Sequence, residues 1–370
     1  MNQSSRLTEL FARQGQSAWL DNLKRSYLTS GELESIVRSG VRGLTSNPTI
    51  FQKAIQGSTD YDEQFNRLIS QGTSVEDAYW DLVVDDIRGA LAVFAPVYES
   101  SGGGDGFVSV EVDPRLAHDT EGTLLAAREL WRRIDRPNLM VKVPATLAGL
   151  PAIRALIAEG INVNVTLIFG LDRYEKVMQA YIDGLDARFD AGGSVAGIAS
   201  VASFFISRVD SEVDRRLDAI GSTSALQLRG RAAVVQANLA YAAFRSRFAG
   251  DRWSRLERAG ASLQRPLWAS TSTKNPSYPD TMYVDELIGP DTVNTLPDVT
   301  LDAFVDHGTV ARTIDADLHG AQRIWASLAE LGVDMLEVAD KLEVEGVSAF
   351  EKSFDELLDA LRQKAVALRK

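Results

Sequence analysis

The chain has 370 residues, a formal net charge of −12 at pH 7, no cysteine and three histidines. The acidic balance argues against nucleic acid as a partner, because nucleic acid binds to dense basic surface. Without cysteine there is no disulfide, thiol nucleophile or cysteine metal site, and the scattered histidines show no metal-ligand spacing. No apolar run is long enough to cross a bilayer, and the N-terminus lacks the apolar core of a signal peptide. We therefore expect a cytoplasmic protein with neither a metal nor a membrane partner.

In chain order, short apolar runs of strand character alternate with stretches of helical spacing. The predicted strands lie at residues 17–22, 41–48, 106–114, 138–146, 160–169, 194–205, 266–271 and 294–297. The predicted helices lie at residues 7–14, 31–39, 61–71, 75–98, 120–134, 150–159, 171–191, 209–259 and 284–287. A glycine-rich segment at 100–106 precedes a strand and does not open a helix, so we interpret it as a flexible connector and not as a phosphate-binding loop.

Eight strands that alternate with helices predict a parallel sheet closed into a (β/α)8 TIM barrel with additional helices. A chain of this length can form two domains, but single barrels often reach this size through insertions. We therefore predict a single domain over residues 1–370, with a helical insertion at about 209–259. Apolar residues on one face of the last segment predict a C-terminal helix at about 348–368.

The strand at 138–146 carries one lysine, Lys142, in an otherwise apolar run. Strand alternation sends Val141 and Val143 to one face and Lys142 to the other, and Pro144 ends the strand soon afterwards. Functional residues of parallel barrels lie at this end of their strands. The alternative for a lone lysine is a structural role in which its ammonium reaches water.

Other strands favour a functional lysine, because their apolar residues also alternate with polar ones. In a parallel barrel the outer face of the sheet packs against helices, so the polar side chains converge on the interior. Buried polar groups need partners, and such a convergence therefore predicts a site. Its predicted members are Asp21, Asn47, Glu111, Lys142, Asn164, Thr166 and Ser203.

The residue types in this set indicate carbonyl chemistry. A neutral lysine amine can attack a carbonyl carbon and form a Schiff base. Asp21 and Glu111 can move protons during dehydration and carbon–carbon cleavage, and the amides of Asn47 and Asn164 can hold substrate hydroxyls. Since the sequence offers no cysteine and no metal site, iminium chemistry on a sugar-like carbonyl compound is the simplest interpretation.

Six segments between about residue 20 and residue 297 follow one another in order: Thr45-Ser-Asn-Pro-Thr-Ile50, Val110-Glu-Val-Asp-Pro-Arg115, Met140-Val-Lys-Val-Pro-Ala-Thr146, Asn164-Val-Thr-Leu-Ile-Phe169, Ala202-Ser-Phe-Phe-Ile-Ser-Arg208 and Trp268-Ala-Ser-Thr271. Together they resemble the signature segments of transaldolases. The chain is similar to the longer bacterial form of this family.

The resemblance implies a metal-free enzyme of the pentose phosphate pathway that needs no cofactor. Such an enzyme moves a dihydroxyacetone unit from sedoheptulose 7-phosphate to glyceraldehyde 3-phosphate, so its implied partners are phosphorylated sugars. By match of motif, Lys142 forms the Schiff base and Asp21 exchanges the proton of the C4 hydroxyl. Glu111, with Thr166 and a water molecule, handles proton transfer around the imine.

The same resemblance implies which residues bind the substrate. Asn47 and Asn164 hold the hydroxyls of the dihydroxyacetone unit. The phosphate is implied to bind to Arg208, together with Ser203 and Ser270, and Phe205 is a further residue implied to contact the substrate.

One departure from the family's pattern concerns the phosphate. Position 272 is a serine where the family commonly has an arginine, and the nearest cation is Lys274. A lysine is a point charge without the bidentate geometry of a guanidinium. Lys274 is therefore a candidate phosphate ligand, and a solvated loop residue is the alternative.

Three other functions are weighed against transfer. A fructose-6-phosphate aldolase would release its product to water, but such relatives resemble this chain with a tyrosine in place of Phe205. Phenylalanine has no proton to give, which favours transfer. A non-catalytic sugar-phosphate-binding protein is disfavoured because Lys142 and Asp21 are both present. No motif indicates a purely structural role, and a homodimer is compatible with a sequence that specifies no oligomeric state.

Overall fold

The computed structural model describes residues 5–368, with side chains through residue 367, and in them eight parallel strands close into a barrel in chain order. They are β1 (Gln16–Leu20), β2 (Leu44–Thr45), β3 (Val108–Glu111), β4 (Leu139–Pro144), β5 (Val163–Ile168), β6 (Ser200–Phe205), β7 (Gln264–Ala269) and β8 (Thr292–Leu296). The closed barrel confirms the predicted fold class. Residues 1–4 and 369–370 of the predicted domain lie outside the described residues. In the described range, no helix is long and apolar enough to cross a membrane.

Helices occupy most of the remaining described chain, and local signals set several of their ends. Ser74 begins α6 by accepting a hydrogen bond from the backbone N of Asp77 at 3.0 Å, and Gly160, at φ 88°, ends α8. The helices are α1 (Arg6–Gln14), α2 (Arg25–Ser30), α3 (Glu32–Arg38), α4 (Pro48–Gln56), α5 (Asp62–Ser70), α6 (Val75–Ser100), α7 (Thr120–Ile134), α8 (Gly149–Glu159), α9 (Leu171–Asp190), α10 (Ser207–Ile220), α11 (Thr223–Leu226), α12 (Ala232–Arg247), α13 (Asp251–Arg258), α14 (Met282–Asp285), α15 (Asp298–His307), α16 (Leu318–Glu330) and α17 (Met335–Leu368).

The strand register places polar residues of three neighbouring strands side by side. Glu111 on β3 pairs with Lys142 on β4, and Lys142 pairs with Asn164 on β5. One residue before Lys142 and Asn164, Val141 pairs with Val163, and both valines are fully buried. Because side chains alternate along a strand, the polar residues share the barrel interior while the valines pack outward beneath the helices.

The second strand is shorter than the sequence indicated, and the difference positions a site residue. Only Leu44–Thr45 is strand, because just two residues separate its end from Pro48, which begins α4. Asn47 caps this helix, its Oδ1 accepting a hydrogen bond from the backbone N of Ile50 at 3.0 Å. Asp21 likewise lies just beyond the end of β1, although the sequence predicted a strand over 17–22 that included it.

The predicted helical stretch at 209–259 consists of four helices, α10 to α13, between β6 and β7. Gly221, at φ 68°, ends α10, and the side chain of Ser222 caps α11. α12 packs against α9 and α16, and its Gln236 donates a hydrogen bond to the carbonyl of Phe169 at 2.9 Å. These helices therefore join the outer helical layer of the barrel.

The terminal helix α17 lies across the carboxyl ends of the strands. It begins at Met335, earlier than the sequence indicated, and packs against α4, α6, α10 and β5. Gly346 permits this approach, because a Cβ there would lie 3.1 Å from Leu167 Cδ2 and 3.3 Å from Phe169 Cζ. Phe350, one helical turn further on, is buried against the barrel mouth.

The glycine-rich segment before β3 is anchored, which corrects the prediction of a flexible connector. Its Asp105 is buried and accepts a hydrogen bond from Trp19 Nε1 at 2.8 Å. Arg42 Nε and Arg265 Nη2 lie 2.8 Å and 3.4 Å from the same carboxylate. Because Asp105 precedes β3, this ion-pair network closes the amino-terminal end of the barrel, away from Lys142.

Candidate active site

A cavity of about 340 Å³ opens at the carboxyl ends of the strands. Three of the eleven predicted site residues, Glu111, Asn164 and Thr166, are buried on β3 and β5, to either side of the lysine strand. The other eight line the cavity: Asp21, Asn47, Lys142, Ser203, Phe205, Arg208, Ser270 and Lys274.

Lys142 is buried at the base of this cavity, with a relative exposure of 4%. Its Nζ lies 3.3 Å from Glu111 Oε2 and donates a hydrogen bond to the carbonyl of Ser46 at 3.2 Å. A lysine that serves only to carry charge to the surface would have an exposed ammonium. The buried amine beside an acid does not fit that alternative.

Glu111 is a buried acid beside Lys142. Burial raises the pKa of its carboxyl, and the positive charge of Lys142 acts in the opposite direction. Its Oε2 faces Lys142 Nζ at 3.3 Å, whereas within residues 5–368 its Oε1 and the hydroxyl of Thr166 are buried without a hydrogen-bond partner. Buried polar atoms in folded proteins normally have partners, so these groups are available to bind a substrate or a water molecule.

Asp21 follows β1 and is held from the neighbouring strand. The hydroxyl of Thr45 donates to Asp21 Oδ1 at 2.8 Å, and the same hydroxyl lies 2.7 Å from that of Thr295. Burial raises the pKa of the Asp21 carboxyl against the charge of Lys142 and the hydrogen bond from Thr45. A carboxyl with a raised pKa that lines a cavity can take up and return a proton.

Two hydroxyls fix the amide of Asn164. Its Nδ2 donates to Ser109 Oγ at 2.9 Å, and its Oδ1 accepts from Ser203 Oγ at 2.7 Å. Asn47 is fixed through its helix cap, which engages only the amide oxygen. Both amides are therefore held in position, as the alignment of a substrate's hydroxyls requires.

Positive charge gathers in one part of the cavity, where Arg208, Lys274 and Lys53 all contribute to the lining. Burial lowers the pKa of Arg208. Burial, followed by the charges of Arg208 and Lys53, lowers the pKa of Lys274. Nearby, Ser270 adopts φ 57°, and its hydroxyl lies 2.9 Å from that of Ser207. An anion would relieve the repulsion among these cations, so this region suits a phosphate.

Aromatic rings form the apolar part of the site. The ring of Phe205 lies 5.0 Å from that of Phe169 and 5.2 Å from Arg208 Cζ. The ring of Phe350 on α17 lies 5.9 Å from Lys142 Nζ. The charged groups are thus bordered by surfaces that carry no hydrogen-bonding atoms.

Sequence reasoning missed Thr45, Lys53 and Phe350 as members of the site. Thr45 belongs to the Thr-Ser-Asn-Pro segment, so its place in that motif could have predicted that its hydroxyl contacts the site. Lys53 follows Asn47 on the next helix, where a charged residue near the helix end has many roles. Phe350 is far from Lys142 along the chain, and one aromatic residue on an apolar helical face does not indicate which cavity it lines.

Cavity size alone does not identify this site. A groove of about 720 Å³ lies outside the barrel between α4, α5 and α17. Its lining includes Ile55 and Leu361, and its Asp62 and Lys364 form an ion pair with each other. The smaller cavity holds the buried amine and lies beside both acids, which makes it the candidate active site.

Comparison with known proteins agrees with this geometry. The sequence model of the transaldolase/fructose-6-phosphate aldolase family matches residues 18–361. A protein named transaldolase from Parafrankia sp. is 53% identical over 363 residues, which cover 98% of each chain. Transaldolases from Mycolicibacterium smegmatis and Mycobacterium ulcerans are each 51% identical, over 100% and 96% of both chains respectively. With the fold, the motifs and full-length relatives in agreement, the chain belongs to the transaldolase/fructose-6-phosphate aldolase family.

Proposed function

We propose that this enzyme is a transaldolase that moves a dihydroxyacetone unit from sedoheptulose 7-phosphate to glyceraldehyde 3-phosphate. The products are erythrose 4-phosphate and fructose 6-phosphate. The observation that carries the proposal is the buried amine of Lys142, 3.3 Å from Glu111, in a cavity that Asp21 also lines. Full-length similarity to proteins named transaldolase supports the same activity.

In the first step the amine of Lys142 attacks the ketone carbon of the donor and forms a carbinolamine. Loss of the hydroxyl as water leaves the iminium ion. Glu111 lies beside the nitrogen, so in its protonated form it can give a proton to the departing hydroxyl. The hydroxyl of Thr166, which makes no hydrogen bond within residues 5–368, can hold the water that takes part in this exchange.

Cleavage requires a base at the C4 hydroxyl of the donor. Asp21 takes this proton, the C3–C4 bond breaks, and its electron pair moves into the iminium to give an enamine on Lys142. The aldose product leaves, and the enamine carbon then attacks the aldehyde of the acceptor. Asp21 returns its proton to the new hydroxyl, while Asn47 and Asn164 hold the dihydroxyacetone hydroxyls throughout. Water then adds to the iminium carbon and the C–N bond breaks, which frees fructose 6-phosphate and the amine of Lys142.

The phosphate group lies at the cationic part of the cavity. Arg208 and Lys274, with Ser270, bind it, and Ser203 supports the site through its bond to Asn164. Lys53 adds a third positive charge that the sequence alone did not indicate. Phe205 places an unreactive ring where a phenol would supply a proton, which favours transfer over release of free dihydroxyacetone.

Borohydride reduction in the presence of fructose 6-phosphate tests the Schiff base. Reduction converts the iminium into a stable secondary amine, and peptide mapping locates it. We expect the label on Lys142 alone. Lys142→Met, which removes the amine but keeps an unbranched side chain, should abolish both label and transfer. Lys176→Met, at an exposed position on α9, should change neither. A label on another lysine, or none during turnover, would contradict the assignment.

The single-domain organisation, the cytoplasmic location and the homodimer stay predictions. Sedimentation equilibrium at micromolar concentration measures the oligomeric state directly. A stable species at the mass of one chain would contradict the homodimer without bearing on the chemistry of Lys142.

A further inference from the structure

We infer that Phe350, which α17 carries to the barrel mouth, keeps water from the enamine on Lys142 and so favours transfer over release of dihydroxyacetone. This inference rests on the proposed transaldolase activity. It assigns to the terminal helix a part in reaction specificity, in addition to its packing.

The position of the Phe350 ring is the first argument. The side chain is 4% exposed and lines the same cavity as Lys142 and Arg208. Its ring centroid lies 5.9 Å from Lys142 Nζ and 6.0 Å from Arg208 Cζ, at the outer range of cation–π contact. One apolar ring therefore stands beside both the reacting nitrogen and a cation of the proposed phosphate site.

The second argument is that α17 approaches the barrel closely at this point. Gly346 lies one turn before Phe350 on the same helical face, and any side chain there would press on Leu167 and Phe169 at the end of β5. One turn on the other side of Phe350, the hydroxyl of Ser353 lies 2.9 Å from that of Thr49 on α4. The helix therefore contacts the end of β5 one turn before the ring and α4 one turn after it.

Ion pairs hold the first half of α17 in the same position. Arg173 Nη1 lies 2.5 Å from Glu343 Oε2, and both side chains are largely buried. Lys341 Nζ lies 2.9 Å from Glu212 Oε2 on α10. These contacts precede Phe350 by about two turns. They keep the ring over the cavity and limit its movement away from Lys142.

Release and transfer diverge at the enamine. For release, the enamine carbon takes up a proton and gives the iminium ion of dihydroxyacetone. Water adds to the iminium carbon, and the C–N bond then breaks to yield free dihydroxyacetone and the neutral amine of Lys142. The proton taken up at carbon is returned in these steps, so water is the only co-reactant. A ring without hydrogen-bonding atoms disfavours this route at its first step, because it offers no group that could hold a water molecule as proton donor against the enamine carbon. The water at Glu111 and Thr166 still serves hydrolysis of the iminium, which both routes require.

The test measures both outcomes in one reaction. With fructose 6-phosphate as donor and erythrose 4-phosphate as acceptor, sedoheptulose 7-phosphate reports transfer and free dihydroxyacetone reports release. For Phe350→Ala we expect the ratio of release to transfer to rise about tenfold, equivalent to about 1.4 kcal/mol in relative barrier height. Phe350→Leu keeps apolar bulk and should show a smaller rise.

Leu357→Ala is the matched control, since it removes apolar bulk from the same helix about two turns after Phe350. Leu357 is fully buried and lines the groove outside the barrel, away from the cavity that contains Lys142. It should keep the wild-type ratio. An unchanged ratio in both Phe350 variants, or an equal rise in Leu357→Ala, would overturn the inference while borohydride still labels Lys142. Failure of that labelling in the wild-type enzyme would instead overturn the proposed function.

Discussion

Asp21 and Glu111 are both carboxylates near Lys142, but their contacts suit them to different steps. Asp21 accepts a hydrogen bond from the hydroxyl of Thr45, whereas within residues 5–368 Glu111 Oε1 has no hydrogen-bond partner. Glu111 lies 3.3 Å from the lysine nitrogen, so it can serve proton transfer at the imine. Asp21 lines the open cavity, where the oxygen of a bound substrate can reach it.

Substituting Asp21 by asparagine separates these two steps. Asp21→Asn keeps the size of the side chain but removes the proton acceptor. We expect carbon–carbon cleavage to slow by roughly 10²–10⁴-fold. The imine with dihydroxyacetone should still form, because Glu111 and Lys142 are unchanged, and borohydride should still trap it.

Glu111→Gln is the companion variant, and it should slow trapping itself. Single-turnover measurements of trapping and of aldose release distinguish the two variants. If Asp21→Asn cleaves fructose 6-phosphate at the wild-type rate, Asp21 is not the base and Glu111 takes its place in the mechanism.

For individual residues, the sequence indicated the candidate reactive groups better than the hydrogen bonds that position them. Strand alternation and motif order predicted Lys142 and both acids as site residues, and the structure brings the three side chains to one region. The hydrogen bond from Thr45 to Asp21 was not predictable, because it joins two strands whose register depends on closure of the whole barrel. The asparagine at 47 was assigned to a strand, and only the proline after it reveals the helix cap.

Among the helices, α10 and α17 are joined through a single buried carboxylate that pairs with three cations. The carboxylate of Glu212 on α10 lies 2.7 Å from Arg215, 2.9 Å from Arg216 and 2.9 Å from Lys341 on α17. The hydrogen bond from Arg215, followed by those from Lys341 and Arg216, lowers the pKa of Glu212 to about 2 against the effect of burial. This carboxylate links the helix that follows β6 to the helix that carries Phe350.

Removing this charge should destabilise the protein in a pH-dependent way. For Glu212→Gln we expect a free energy of unfolding lower by about 1–3 kcal/mol at pH 7. A pKa depressed in the folded state stabilises it above the unfolded value, near 4.5, and that contribution disappears as the pH falls towards about 2. The gap between wild type and variant should therefore be constant from pH 7 to pH 5 and shrink at pH 3.

Urea unfolding followed by circular dichroism at these three pH values measures the gap. Glu129→Gln is the matched control, because Glu129 also pairs with an arginine three residues later but is exposed. It should leave stability nearly unchanged, as exposed ion pairs contribute little. A gap for Glu212→Gln that is the same at pH 3 as at pH 7 would show that its charge is not the cause.

The start of α17 shows why some elements resist prediction. Apolar spacing from residue 350 onward indicated a docked terminal helix, but α17 begins at Met335 with a segment rich in charge. Its first turns are held by Glu343 and Lys341, which bind Arg173 and Glu212 from distant parts of the chain. Such long-range ion pairs leave no periodic apolar pattern in the sequence.

For the molecule as a whole, the overall charge and the local charge of the site have opposite sign. The chain carries a net charge of −12, yet Arg208, Lys274 and Lys53 line one cavity. Because exposed charges are screened over about 8 Å at physiological salt, the nearby cations determine the potential that a bound phosphate experiences. Lys274 lines the cavity but keeps part of its side chain in solvent. Its Nζ donates a hydrogen bond to Ser272 Oγ at 2.6 Å, at the position where the resemblance implied an arginine.

The eight-strand pattern was enough to predict the barrel, since few arrangements bury alternating βα units. It could not predict how the cations meet. Lys53 follows β2, Arg208 follows β6 and Lys274 follows β7, so their proximity depends on closure of the barrel and on three separate loop and helix conformations.

Lys53 and Lys274 should therefore act on the phosphate and not on the chemistry. We expect Lys274→Ala to lower kcat/KM for glyceraldehyde 3-phosphate by about 10-fold to 100-fold, as loss of a hydrogen bond to a charged group would. With unphosphorylated glyceraldehyde as acceptor, kcat/KM should stay unchanged, and Lys53→Ala should show the same selectivity with a smaller effect. Ser272→Arg in the Lys274→Ala background should restore discrimination, because a guanidinium there replaces the lost charge with a bidentate donor.

Lys176→Ala, on the outside of α9, controls for a general loss of positive charge. If Lys274→Ala lowers both activities equally, its role is structural, and if it lowers neither, Lys274 is a solvated loop residue and Arg208 binds the phosphate without it.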